Sequence, residues 1–215
     1  MKLRLTRELL PSRPLHREWA LVLNEFGKLL NEYNTSKDVA YWYGERALTG
    51  LLAAAAWRIK GGWSIEEFTG LRRTGGRQNS GKGDAWIGIQ RKTFTVEAKM
   101  VWAQGPLDTA IKDARKFLDE AADQLDSLDT TYQVDIPTAV CYVVPELHLY
   151  GGFSTSKDID QFFTEVPRAL KSSKRCAGAF WYKNDQPKPH QGKRYPGVIV
   201  IAQFWSRWPK RGSDN

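Results

Sequence analysis

Two carboxylates and an ammonium lie close together in this chain, as Asp84 and then Glu97-Ala98-Lys99 inside the apolar run from Thr93 to Val101. Alternate side chains of a strand share a face, so Thr95, Glu97 and Lys99 point one way while Phe94, Val96, Ala98 and Met100 point into a core. Ala85 to Ile89 reads as the preceding strand, which predicts a hairpin. A loop of two residues (Gln90, Arg91) or of four (Ile89 to Lys92) gives the same register, with Gly88 opposite Thr93 and Asp84 opposite Glu97. Opposed carboxylates resist joint ionisation unless a cation lies between them. A hard divalent ion with oxygen ligands removes that penalty, and Mg²⁺ suits it because it takes one or two carboxylates and otherwise keeps its waters. The plain alternative is a pair of solvated strand charges.

The elements that must position these residues are legible around them. Ser36 can cap a helix whose apolar stripe runs through Val39, Trp42 or Tyr43, Ala47, Leu51, Ala54 and Ile59, and Glu45 borders its buried face. Glu45 is then either a boundary residue paired with Arg46 or another base, or an inward ligand, since a buried carboxylate needs a partner. Upstream, Leu15, Trp19, Val22, Phe26, Leu29 and Tyr33 predict an amphipathic helix that caps the core. Phe68 to Arg72 reads as the first strand of the core, followed by a glycine-rich loop and the hairpin. After Pro106, the steps from Leu107 to Leu128 predict a long helix, and 138–144 a buried strand. Residues 156–170 read as a helix in which Pro167 marks a break or a fresh start. Strands are expected at 177–182 and 197–204, with a polar loop over 183–195 between them.

With Asp84 on one strand, Glu97-x-Lys99 on the next and Glu45 on a helix upstream, the chain resembles the PD-(D/E)XK nuclease superfamily from about Asp38 to Leu128. The family's nominal Pro before the Asp is Gly83 here. The resemblance implies an α/β fold with a restriction-endonuclease-like αβββαβ core, a mixed central sheet flanked by helices, and an extra N-terminal helix. It also implies Mg²⁺, with Mn²⁺ as a substitute, held by Asp84, Glu97, the Ala98 backbone carbonyl and Glu45, with Lys99 completing the catalytic set. The implied activity is hydrolysis of phosphodiester bonds, with DNA favoured because most members of the superfamily cut it. The competing class is a binding or protein-interaction module that keeps the scaffold without the chemistry.

Gly76 to Gly83 satisfies the spacing Gly-x-x-x-x-Gly-Lys, yet Gly83 stands where a nucleotide-binding loop needs Ser or Thr. A strand follows it, not a helix N-terminus. That excludes a P-loop NTPase and leaves a basic loop or turn.

The 215 residues, 41% of them hydrophobic, suit a single domain over 1–215, with a helical cap (1–35), a motif-bearing core (36–150) and a C-terminal helix and strands (151–215). A formal net charge of +8 favours a polyanionic partner. Arg72, Arg73, Arg77 and Lys82 surround the glycine-rich stretch before Asp84, and a second basic cluster, Lys183 to Arg211, lies near the C-terminus; both could hold a phosphate backbone. Tryptophans among basic residues can stack on unpaired bases but are more often core. No apolar run is long enough for a membrane span and no signal pattern opens the chain. A soluble, cytoplasmic protein without a membrane partner is expected, acting alone, as a homodimer or as a subunit of a nucleoprotein assembly. Cys141 and Cys176 read as reduced core thiols. His16, His148 and His190 are isolated and form no metal motif.

Overall fold

The computed structural model describes residues 2–4, 14–35, 39–74, 77–128, 136–148, 156–170, 176–182 and 193–205. Strand β1 (Lys2–Arg4) is followed by helix α1 (Pro14–Thr35), a 3-10 turn (Ala40–Tyr43) and helix α2 (Glu45–Trp57). Three long strands come next, β2 (Gly62–Thr74), β3 (Arg77–Ile89) and β4 (Lys92–Ala103). Helix α3 (Leu107–Ser127) leads to β5 (Ile136–Pro145) and β6 (Leu147–His148). Helix α4 (Ser156–Leu170), β7 (Cys176–Tyr182), β8 (Lys193–Arg194) and β9 (Gly197–Phe204) complete the order.

These elements form an α/β structure around a mixed, open sheet of seven strands in the order β1-β7-β9-β5-β4-β3-β2, with β6 and β8 pairing separately. Strands β2, β3 and β4 are an antiparallel meander, and β5 lies parallel to β4. A parallel pair needs a long crossover, and α3 supplies it. On one face of the sheet α1 and α2 bury Trp19, Phe26, Leu48 and Leu52 against Phe94, Val96, Ala98, Tyr142 and Phe204. On the other, α3 and α4 bury Ala114, Leu118, Phe163 and Val166 against Val101, Cys141, Val143 and Ile201. Helices on both faces explain why β5 reads as a continuous apolar run.

Several expectations are corrected. The helix placed from Ser36 begins only at Glu45, because Gly44 adopts φ 88°, a conformation that suits glycine and ends the preceding turn. Glu45 is therefore the first residue of α2, not an interior one. The N-terminal helix packs on the core as expected, with Trp19, Val22, Leu23 and Phe26 fully buried and Trp19 edge-on to Phe204. The glycine-rich stretch is not a loop, for residues 77–83 are the first half of β3, paired with β2 throughout. Glycine serves there by leaving room for aromatic rings of the neighbouring strand: a Cβ at Gly83 would meet the Phe68 ring at 2.3 Å. The first core strand starts at Gly62, six residues before Phe68. Pro167 lies inside α4 near its end without breaking it. The face carrying Thr95 and Glu97 is not solvated, as these residues are 2% and 1% exposed. The tryptophans beside the motif strands make ring contacts within the protein, in line with the core reading: Trp86 packs edge-on to Trp63 at 5.1 Å, and Trp102 packs on Tyr195 at 5.0 Å.

No helix among the described residues is long and apolar enough to cross a membrane. The connection that fixes α2 relative to β2 is tight. Gly62 donates its N–H to the Ile59 carbonyl at 2.8 Å, and a Cβ at Gly62 would lie 2.2 Å from the Ala56 carbonyl oxygen. A backbone atom cannot step aside as a flexible side chain can. Gly62→Ala is expected to destabilise the fold by about 1–3 kcal/mol, read as a lower urea midpoint at unchanged slope; a midpoint equal to wild type would contradict this close approach.

Candidate functional site

The sheet splits at Asp84. From Ile89↔Lys92 to Ala85↔Val96, β3 and β4 are paired across the two-residue turn Gln90-Arg91, with Gly88 opposite Thr93 as the spacing required. Before Ala85, β3 stays with β2 out to Arg77 opposite Thr74. After Val96, β4 stays with β5 to Ala103 opposite Pro145. A fork opens between the two arms, and backbone groups of β4 that would have bonded to β3 face into it.

Two carboxylates fill those vacancies in the ladder. Asp84 Oδ2 accepts the Ala98 N–H at 2.7 Å, and the Glu45 carboxylate accepts the Met100 N–H. Ala98 and Met100 are two positions apart, as residues whose backbone groups leave a strand on the same side must be. A residue's N–H and C=O leave an extended strand on that same side, so the Ala98 carbonyl opens on the fork as well. Opposite Asp84 on the outer strand stands Glu67, where the β2–β3 pairing skips one position without an extra residue and the backbone turns to φ 48°.

A pocket of about 210 Å³ lies here, lined by Glu45, Arg46, Thr49, Glu66, Glu67 and Asp84. Glu67 is engaged by Arg46 and by Lys82 at 3.0 Å. Glu45 is half-buried. Burial raises its pKa, the Lys99 ammonium opposes that shift, the Asp84 charge adds to it, and the Met100 N–H lowers it. Lys99 and Asp84 therefore both act electrostatically on Glu45, the Lys99 charge more strongly than that of Asp84. Thr49, one helical turn beyond Glu45, is 5% exposed. Its hydroxyl faces the fully buried Tyr142 phenol, yet neither oxygen completes a well-formed hydrogen bond.

Of the residues singled out from the sequence, the fork brings together Glu45, Asp84, Lys99 and the backbone of Ala98. Glu97 is buried; strand alternation sets it on the same face as Thr95, Lys99 and Val101, and neither Glu97 nor Lys99 is among the described residues that line the pocket. No group of three or more His, Cys, Asp or Glu side chains among the described residues is already gathered closely enough to hold a metal. Two donors nevertheless suit a hard cation. Asp84 spends one oxygen on a backbone N–H and Glu45 spends part of its capacity in the same way, which leaves carboxylate oxygens on both. The mutual repulsion recorded at Glu45 is what a divalent ion would relieve.

Lys82 is exposed and paired with Glu67. The side chains of Arg72, Arg73 and Arg77 lie outside the described residues, though their backbone positions are on the β2–β3 ribbon beyond the fork. Of the C-terminal basic cluster, Lys193 pairs with Glu146 at 2.7 Å, while 183–192 and 206–215 lie outside the described residues, as do the side chains of Cys176, His16, His148 and His190. Sequence reasoning missed Thr49, Glu66 and Glu67. Trp63 to Phe68 could have revealed the acids: extending the strand back to Gly62 puts Glu67 opposite Asp84.

Two other buried groups offer less. The Glu146 carboxylate is saturated by Lys193, by Gln104 at 2.9 Å and by Tyr195 at 3.4 Å, a clasp that ties the start of β9 to the ends of β4 and β5. Cys141 is a free, fully buried thiol whose pKa burial pushes up, so it stays protonated and unreactive. No protein-family model, curated protein or solved structure matches the chain.

The titration of Glu45 gives a testable sign. Its folded pKa lies above the ordinary value of 4.5, so the folded chain holds this proton to higher pH than the unfolded chain does. Glu45 therefore costs no stability below about pH 4.5 and an increasing amount as pH rises through the raised value. Glu45→Gln is expected to match wild type near pH 4 and to exceed it at pH 7 and above, measured by urea unfolding across that range. A difference that is constant with pH, or that shrinks as pH rises, would contradict the assignment.

Proposed function

We propose that this chain is a metal-dependent phosphodiesterase of the PD-(D/E)XK type, hydrolysing nucleic acid with DNA as the favoured substrate, on a restriction-endonuclease-like core. The observation that carries the reading is the fork, where Asp84 and Glu45 converge on the freed edge of β4 beside Lys99. The order α2, β2, β3, β4, α3, β5, with an antiparallel meander followed by a parallel crossover, supports the αβββαβ core.

Asp84 and Glu45, with the Ala98 carbonyl, would hold Mg²⁺ or Mn²⁺, which supplies a polarised phosphate and a bound water of lowered pKa. Glu97, next to Ala98, would join from the α3 face. The Ala98 N–H fixes the Asp84 carboxylate and the Met100 N–H fixes Glu45, so neither need reorganise when substrate arrives. Lys99 orients the attacking water or meets the negative charge that grows on the phosphorus oxygens. Its ammonium also offsets part of the Asp84–Glu45 repulsion before a cation binds.

The positive charge of the chain and the positions of Arg72, Arg73, Arg77 and Lys82 on the ribbon that starts at Asp84 support a polyanionic strand laid beside the fork. The test is incubation with plasmid, linear and single-stranded DNA and with RNA, in Mg²⁺, Mn²⁺ or EDTA. Cleavage is expected with either ion and none in EDTA. Lys99→Ala should keep cation binding and lose cleavage, whereas Asp84→Ala should lose both. Metal-dependent cleavage retained by both purified variants would refute the assignment, and binding of nucleic acid without hydrolysis by the wild type would favour a binding module on the same scaffold.

A further inference from the structure

We propose that Glu66, on β2, is a further acidic ligand of the cation held at the fork, so that the ion sits in the pocket between α2 and the β2–β3 ribbon and is not confined to the Asp84–Glu97 pair. The inference rests on the proposed cation site and names a residue that site had not included.

Four carboxylates line the pocket, and only one cation, Arg46, lines it with them. Glu67 does not contribute free charge, being held by Arg46 and Lys82. Glu45, Asp84 and Glu66 remain. Glu66 is directed to α2: its Oε2 would lie 3.2 Å from a Cβ placed on Gly50, so the carboxylate rests close against the helix at that glycine. Its register partner is Ala85, the neighbour of Asp84. Glu45 opens the helix that Glu66 rests on, and Thr49 lies between them along that helix.

Thr49 supplies independent support for a ligand. Its hydroxyl is buried and lines the pocket, and it meets the Tyr142 phenol without completing a well-formed hydrogen bond to it. Buried hydroxyls without a partner are few and mark a bound water or ion. Inner-sphere water on a cation held by Glu45, Asp84 and Glu66 would satisfy it. The volume of about 210 Å³ accommodates a hydrated divalent ion, since each water occupies about 30 Å³. Carboxylates, a hydroxyl and waters are the oxygen set that Mg²⁺ and Mn²⁺ take.

Isothermal titration of the full chain with Mn²⁺, without nucleic acid, tests this. Glu66→Gln is expected to weaken Mn²⁺ binding by about tenfold or more, and Thr49→Val by less, while Glu120→Gln, a partly exposed acid on α3 outside the pocket, stays close to wild type. Each variant's unfolding midpoint confirms that it is folded. Binding by Glu66→Gln equal to wild type overturns the inference and leaves the nuclease reading standing. An equal loss in Glu120→Gln also overturns it, since the effect would then be the net charge of the chain. Cation binding that depends on Glu66 in a chain that cleaves no nucleic acid would support the inference and overturn the nuclease reading. A wild-type chain that takes up no Mn²⁺ overturns both.

Discussion

The hydrogen bond from the Ala98 N–H to Asp84 is where the architecture of this protein turns into a site. A strand that loses its neighbour partway along must satisfy its exposed backbone groups in another way. Here the replacement acceptors are the carboxylates of Asp84, at 2.7 Å, and Glu45. Both acids are thereby held at the same edge, although they come from elements far apart in the chain. At Glu45 burial and the Asp84 charge oppose the charged form, while the Lys99 ammonium and the Met100 N–H favour it, and burial prevails.

The rest of the fold serves that arrangement. The α3 crossover keeps β4 and β5 parallel and lets β4 run on past the fork, while the α1–α2 layer brings the N-terminus of α2 against the β4 edge. Gly44 starts α2 at the residue that must reach Met100, and Gly62 returns the chain into β2 without a clash with the end of the same helix. The sheet is covered on both faces, which explains the burial of Glu97 and Thr95 on a face that alternation alone would have left open.

Much of this was legible in the sequence where one local rule governed. The hairpin turn at Gln90-Arg91, its register, the helix after Pro106 and the strand from Gly197 to Phe204 all follow from periodicity and turn length. The site was legible as far as Asp84, Lys99 and Glu45, since charged residues interrupting an apolar run stand out. What was not legible depended on tertiary context. Glycines from 76 to 83 suggest a loop unless one knows that Phe68 lies across the strand from Gly83. The start of β2 was hidden because Glu66-Glu67 breaks the apolar alternation, and those two acids are the ones the pocket gathers. Which acids line the pocket depends on where β3 leaves β4, a global property of the sheet.

The proposed nuclease chemistry stands on divalent-cation binding at the fork through Asp84 and Glu45. Crystals grown or soaked in millimolar Mn²⁺ and measured at the manganese absorption edge test it most directly. The account predicts an anomalous peak in the fork, within about 2.0–2.3 Å of carboxylate oxygens of both residues. A fork that stays without an anomalous peak in saturating Mn²⁺, with both carboxylates still turned to the Ala98 and Met100 N–H groups, would contradict it.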